Sequence, residues 1–117
     1  GSVILRDRGY PEEVIYAILS HADDLQDRFP RVSRLDKTLY ACDELSGFLT
    51  ACALVRPERL VGMKASSVRK KMKTASFAAA VPRSDLLQGA ADLGVDFDEH
   101  VEFCIAALQP HAAELGL

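Results

Sequence analysis

The sequence lacks most of the short motifs that identify common enzyme classes. It has no tryptophan, and aromatic residues make up only 7% of its 117 positions. It contains no glycine-rich phosphate loop, no GxSxG nucleophile turn and no HExxH zinc motif. These absences exclude P-loop nucleotide binding, the nucleophile turn of α/β-hydrolases and the usual helical zinc-protease motif.

Cysteine is also scarce. It occurs at Cys42, Cys52 and Cys104, an odd number without CxxC spacing. Such a set is typical of reduced thiols rather than of a disulfide framework, so we expect a cytoplasmic location. We expect all three at inward helical positions without a positioned histidine, and we predict no cysteine nucleophile.

No apolar run is long enough to cross a bilayer, since the longest uncharged stretch near the centre covers only residues 45–55. The N-terminus also lacks a signal-peptide pattern. We therefore expect no membrane partner. Gly1 and Ser2 resemble an expression-vector remnant, which would place the natural start near Val3.

The length and a hydrophobic content of 49% predict one folded domain over residues 3–117. The net charge of −3 argues against a nucleic-acid partner. Charge is uneven, with net values of −3 for residues 1–55, +7 for 56–83 and −7 for 84–117. The basic and acidic segments are expected to attract each other within the fold or across a dimer, and the alternative is that the basic segment binds an anion.

Apolar spacing predicts an all-α fold of about five helices and no strand. The first helix is predicted from Pro11 to about His21. The second and longest is predicted to start after a capping box of Ser33 and Asp36 and to end near Arg56.

Three further helices are predicted in the second half of the chain. The third covers residues 66–73, with Ser66 or Ser67 as its cap. The fourth starts at Pro82 and ends where Gly94 takes a left-handed conformation. The fifth is capped by Asp96 and ends before Pro110.

Asp43 is the first candidate site residue, because it lies in the middle of a helix that is apolar nearly all round. A buried carboxylate requires a cation, a metal or hydrogen-bond donors. Gly47 and Ala51 lie on the same face, so another element or a ligand could approach there. A structural role, with Asp43 bonded to a helix end or an arginine, remains an alternative.

His21 lies on the inward stripe of its helix, at the end where the dipole favours a cation. Together with Asp43 it offers two metal ligands from separate helices, which is an incomplete site. His100 and Cys104 are one turn apart, a spacing that can bind zinc, but the sequence shows no second pair. We interpret the His100–Cys104 pair as structural.

A basic run surrounds the predicted start of the third helix. Its candidate anion-binding residues are Lys64, Ser67, Arg69 and Lys70. Free backbone amides and positive side chains together suit a phosphate group. A solvated basic face is the alternative interpretation.

Seven segments occur in an order and spacing that match one family of helical domains. They are residues 9–15 (GYPEEVI), 17–22 (AILSHA), 39–48 (LYACDELSGF), 51–57 (ACALVRP), 67–73 (SVRKKMK), 77–79 (FAA) and 93–100 (LGVDFDEH). They resemble the C-terminal half of HD-superfamily phosphohydrolase domains, and the similarity extends over nearly the whole chain.

The resemblance implies an all-α fold and part of a metal site. Members of the superfamily bind one or two divalent metals through a first histidine, a His-Asp doublet and a distant aspartate, and they hydrolyse phosphate esters. By this resemblance Asp43 corresponds to the distant aspartate. His21 corresponds to a histidine that some members place near the metal or the substrate phosphate.

The ligand set is incomplete, because His21 and His111 precede alanine and His100 precedes valine. The first histidine and the doublet would lie upstream of Val3. A metal that activates water needs at least three protein ligands. We therefore assign no catalytic residue and expect no hydrolysis by an isolated chain.

By the resemblance, the first histidine and the doublet would lie on helices that this sequence lacks. The apolar face that those helices would cover is expected to be exposed in a monomer, and it includes Val14, Ile18, Leu39 and the Asp43 side of the long helix. We expect a two-fold homodimer that covers this face. The sequence thus favours a noncatalytic dimeric interaction or small-anion-binding protein whose ligand is a phosphate-containing small molecule. The alternative is a metal-dependent phosphohydrolase that obtains its missing ligands from a partner chain or an absent N-terminal segment.

Overall fold

The computed structural model describes residues 1–117, which form only helices and their connections. The helices are α1 (Ser2–Asp7), α2 (Glu12–His21), α3 (Arg34–Leu54), α4 (Ala65–Met72), α5 (Arg83–Leu93), α6 (Phe97–Leu108) and α7 (Ala112–Leu115), with 3₁₀ turns at Asp23–Leu25 and Gln109–His111. Helices α2 to α6 each have eight or more residues. The predicted all-α class with about five main helices is confirmed.

Helix α2 begins and ends where its sequence predicts. Pro11 precedes the first helical residue, and Glu12 in the first turn complements the helix dipole. At the other end Gln26 and Arg31 donate hydrogen bonds to the carbonyl oxygen of Ser20 at 2.6 and 2.8 Å. The connection to α3 therefore folds back and satisfies the free end of α2.

Helix α3 begins with the predicted capping box. The Ser33 hydroxyl accepts a hydrogen bond from the Asp36 amide at 3.1 Å, and the Asp36 carboxylate accepts from the amides of Ser33 and Val32 at 3.0 and 3.1 Å. Burial alone would raise the pKa of Asp36, but the hydrogen bonds from Ser33 and Val32 outweigh it and hold the pKa below its usual value. Asp36 is therefore the buried carboxylate of this helix.

Helix α4 starts one residue earlier than predicted, and its predicted serine cap is wrong. Lys64 occupies the cap position without a side-chain hydrogen bond, while Ser66 and Ser67 lie inside the helix. The amide of Ala65 instead donates to Glu102 of α6 at 2.8 Å. A distant carboxylate thus satisfies the helix start, where the sequence predicted a local hydroxyl.

The ends of α5 and α6 agree with the sequence. Gly94 ends α5 with a φ of 78°, a conformation that glycine adopts without a side-chain clash. The Asp96 carboxylate then accepts a hydrogen bond from the Glu99 amide at 3.1 Å and caps α6. Helix α6 ends at Leu108, before Pro110.

The core lies between the later turns of α3 and helices α4 to α6. Its largest fully buried side chains are apolar and come from several elements: Phe48, Leu45, Leu49, Leu60, Val68, Val101 and Ile105. Helix α3 is thus the central element, and its second half forms the core together with the elements that follow it.

Helices α5 and α3 approach each other closely at Gly89. A Cβ added to Gly89 would lie 2.9 Å from the Cα of Ala41. By contrast, a Cβ added to Gly47 would meet no atom within 4 Å. Of the two alternatives offered for Gly47, the approach of another element is therefore wrong, and such an approach occurs at Gly89 instead.

The molecule is more extended than its length requires. Its radius of gyration is 15.4 Å, against about 13 Å expected for a compact domain of this size. Half of its strongly exposed large apolar side chains lie within the first 35 residues: Val3, Ile4, Tyr10, Ile18, Val32 and Leu35. The region containing α1, α2 and the start of α3 is therefore sparsely covered.

No helix of the protein has both the length and the apolar character needed to traverse a lipid bilayer.

Candidate functional site

The two candidate metal ligands are in contact. Nε2 of His21, the last residue of α2, lies 2.8 Å from Oδ2 of Asp43 in the middle of α3. The structure therefore brings together two residues that lie 22 positions apart in the sequence. The predicted burial of Asp43 is wrong, because 58% of its side chain is exposed.

The surroundings of this pair leave one nitrogen of His21 without a partner. The ring of His21 lies 5.9 Å from that of Tyr40, and its Nδ1 is buried without a hydrogen-bond partner. No further histidine, cysteine or carboxylate side chain joins His21 and Asp43 to make a group of three. One chain thus supplies a two-residue polar contact that faces solvent on the Asp43 side.

A basic pocket lies between the end of α3 and helix α4. It has a volume of about 250 Å³, and it is lined by Cys52, Arg56, Met63, Ser67, Lys70, Lys71 and Thr74. Three basic residues, a serine and a threonine thus line one small cavity, and no acidic residue lines it. We call this cavity the basic pocket.

The cations of the basic pocket are not neutralised by the protein. Arg56, Lys70 and Lys71 form no ion pair with a carboxylate. One terminal nitrogen of Arg56 donates to the carbonyl oxygen of Val61 at 2.8 Å, while its Nε is buried without a partner. The charges are therefore available to an anion from solution.

The thiol in the basic pocket is neutral at physiological pH. Burial raises the pKa of Cys52 to about 11, although the nearby Lys71 and Arg83 act in the opposite direction. A neutral, buried thiol is a poor nucleophile. The pocket is therefore suited to binding an anion rather than to covalent chemistry.

Two of the four candidate anion-binding residues line the basic pocket. Ser67 and Lys70 line the basic pocket, whereas Lys64 and Arg69 do not. Arg69 forms an ion pair with Asp98 of α6, and its guanidinium lies 5.0 Å from the centre of the Phe97 ring. The predicted attraction between basic and acidic segments therefore operates within the fold at this contact.

The four candidate residues left out Arg56, Lys71 and Thr74, although Lys71 belongs to the predicted basic run. A signal for two of them was present, because positions 67, 70, 71 and 74 follow the i, i+3, i+4, i+7 spacing of one helix face. Arg56 could not be found in this way, since its place in the pocket depends on how α3 packs against α4.

Two cysteines and a histidine form a third cluster, which includes the His100–Cys104 pair that the sequence analysis interpreted as structural. Cys42 of α3 and His100 and Cys104 of α6 place their ligand atoms within 4.8 Å of one another. Nδ1 of His100 is 3.9 Å from the sulfur of Cys104. The sequence shows no second pair for His100 and Cys104, and the structure adds Cys42 as a single third side chain.

No family model, no curated protein and no solved structure matches the chain. The residues and their geometry are therefore the guide to its function.

Proposed function

We propose that this chain is an HD-like helical protein that is noncatalytic on its own, forms a dimer and binds a small phosphate-bearing molecule. The observation that carries the binding function is the basic pocket, where Arg56, Lys70 and Lys71 converge without a neutralising carboxylate. Ser67 and Thr74 add hydroxyl donors to the same cavity.

The chemistry and size of the basic pocket favour phosphate. Guanidinium and ammonium groups make charge-assisted hydrogen bonds to phosphate oxygens, which are shorter and stronger than neutral ones. The volume of about 250 Å³ is below the range of about 300–1,000 Å³ typical of drug-sized ligands. A phosphate or a short phosphate ester therefore fits better than an extended polymer.

The His21–Asp43 contact supports the noncatalytic part of the proposal. Water activation by a metal needs about three protein ligands and an open position. His21 and Asp43 provide two, and each already has the other as a partner at 2.8 Å. An HD-type reaction at this place thus requires ligands from outside the single chain.

Titration with inorganic phosphate or pyrophosphate, followed by ¹⁵N–¹H NMR, tests the basic pocket. We expect saturable shifts of the amides of Ser67, Lys71 and Thr74. The double variant Lys70→Gln/Lys71→Gln should weaken binding by at least about tenfold, which corresponds to about 1.4 kcal/mol.

The matched control is Lys64→Gln/Lys73→Gln. It also removes two positive charges beside α4, but these two lysines lie outside the basic pocket. It should change the affinity by less than about twofold, since screened surface charges contribute little. Equal losses in both double variants would show that phosphate responds only to net charge and would reject the site.

The sparsely covered N-terminal region supports the dimer. Ile18 is 44% exposed on α2, and Leu35 is 45% exposed at the start of α3. Burying such side chains against a second copy would stabilise the assembly through the hydrophobic effect. Light scattering at tens of micromolar should therefore give the mass of a dimer, and Ile18→Glu should give a monomer. A wild-type chain that stays monomeric would contradict this part of the proposal.

A metal-dependent phosphohydrolase completed by a partner chain is the second candidate. The exposure of Asp43 beside His21 favours it, because ligands from a second molecule could reach the carboxylate. In that case the metal content would depend on Asp43 and on the dimer. Metal analysis of the Asp43→Ala variant separates this candidate from a metal site elsewhere in the chain.

A further inference from the structure

We infer that Cys42, His100 and Cys104 form a zinc site, with the fourth position open to the adjacent cavity. The site lies between α3 and α6, away from the basic pocket, and it is independent of the proposed phosphate binding. It joins two helices whose ligands are 58 and 62 positions apart.

The distances require only small side-chain movements. Tetrahedral zinc, with bonds of about 2.3 Å to sulfur and about 2.0 Å to nitrogen, holds its ligand atoms about 3.5–3.8 Å apart. The three ligand atoms lie within 4.8 Å of one another, and the Nδ1 of His100 is 3.9 Å from the sulfur of Cys104. Rotation about the side-chain bonds of the cysteines can supply the remaining contraction.

His100 is held in the orientation and tautomer that a metal ligand needs. Its Nε2 lies 3.0 Å from the carbonyl oxygen of Ala41, and the ring is buried. With the proton on Nε2 donated to that carbonyl, Nδ1 carries the lone pair and faces the sulfur of Cys104. A histidine that binds zinc through one nitrogen usually donates the other N–H to a carbonyl or a carboxylate in this way.

The ligand types favour zinc over hard cations. Two thiolates and one imidazole suit Zn²⁺, whereas Mg²⁺ and Ca²⁺ prefer oxygen. Each cysteine binds the metal as a thiolate, so a thiol that binds Zn²⁺ gives its proton to solvent.

The neighbouring cavity supplies the open position. It has a volume of about 460 Å³, and Cys42 and His100 line it together with Arg34, Thr38, Glu99 and Phe103. Structural zinc sites are closed by four protein ligands, whereas sites with three protein ligands keep a position for water or substrate. The arrangement here, with three ligands beside an accessible cavity, belongs to the second kind.

Cobalt and zinc titrations of the full chain test the site. The reduced, chelator-treated protein should bind one Co²⁺ per chain with a thiolate-to-metal charge-transfer absorption, and one Zn²⁺ should displace it. Cys42→Ser and Cys104→Ser should each weaken Zn²⁺ binding by more than about 100-fold and reduce the charge-transfer intensity.

Two control variants test whether the metal is bound at these three residues and nowhere else. Cys52→Ala removes the cysteine outside the cluster, and Asp43→Ala breaks the His21–Asp43 contact. Both should retain the full cobalt spectrum, and circular dichroism should show that every variant keeps its helix content. Phosphate titration of Cys104→Ser should match the wild type, since the basic pocket lies elsewhere.

Three results would overturn the inference. The first is the absence of metal binding, or cobalt binding without thiolate absorption. The second is a metal that is lost in Asp43→Ala and kept in Cys104→Ser, which would place the metal at the His21–Asp43 contact. The third is a Cys42–Cys104 disulfide that dissolved oxygen, as the electron acceptor, forms in air-saturated Zn²⁺ solution, seen as the loss of two titratable thiols.

Discussion

Replacing Gly89 with alanine should lower the free energy of unfolding by about 1–3 kcal/mol, the usual range for overpacking a tight contact. The added Cβ would lie 2.9 Å from the Cα of Ala41 and 3.5 Å from its Cβ. Because the nearest atom belongs to the backbone of α3, no side-chain rotation can relieve the clash. Helices α3 and α5 must therefore move apart.

The matched control for Gly89→Ala is Gly47→Ala. Gly47 lies in the interior of α3, is exposed, and an added Cβ there meets no atom within 4 Å. Alanine favours helix over glycine by about 0.5–1 kcal/mol, so this variant should be more stable than the wild type. Urea denaturation followed by circular dichroism measures both changes. Effects of the same sign in the two variants would contradict the assigned contact.

The helix boundaries could be predicted because they depend on residues close together in the chain. The capping box of Ser33 and Asp36, the left-handed Gly94 and the cap from Asp96 each act over a few positions. The cap of α4 was predicted wrongly because the start of this helix depends on a residue far away in the sequence. Its free amide is satisfied by Glu102, 37 residues away from Ala65.

Burial along α3 could not be predicted from its pattern. The helix is apolar nearly all round, so periodicity alone does not say which face the other helices cover. Packing of α5 through Gly89 covers Ala41, while Asp43 and Gly47 stay exposed. The carboxylate that is buried is Asp36, a position that the sequence explained by capping alone.

The candidate sites were predictable to different degrees. The His21–Asp43 contact was expected as a pair of ligands from separate helices, and the two atoms do meet at 2.8 Å. Two residues of the basic pocket, Ser67 and Lys70, were among the candidates that the sequence predicted around α4. The Cys42 contribution to the zinc site left no local signal, because the residue joins His100 and Cys104 only through the packing of α3 against α6.

The segment between α4 and α5 depends on one side chain, and Arg83→Lys should lower the free energy of unfolding by about 3 kcal/mol. The guanidinium of Arg83 donates hydrogen bonds to five backbone carbonyl oxygens, those of Met72, Thr74, Phe77, Ala78 and Val81. It also lies 4.8 Å from the centre of the Phe48 ring. An ammonium group lacks the planar fork that reaches several carbonyls at once.

Arg83→Lys should also weaken phosphate binding, although Arg83 does not line the basic pocket. Thr74 belongs to both arrangements, since its carbonyl accepts from Arg83 and the residue lines the pocket. Without the guanidinium, residues 73–82 lose these hydrogen bonds to Arg83. Hydrogen exchange of their amides should therefore become faster relative to that of α6. Arg8→Lys is the control, because Arg8 is exposed and its side chain forms no ion pair. If amide hydrogen exchange and phosphate affinity were unchanged in Arg83→Lys, neither the structure of residues 73–82 nor the basic pocket would depend on this guanidinium.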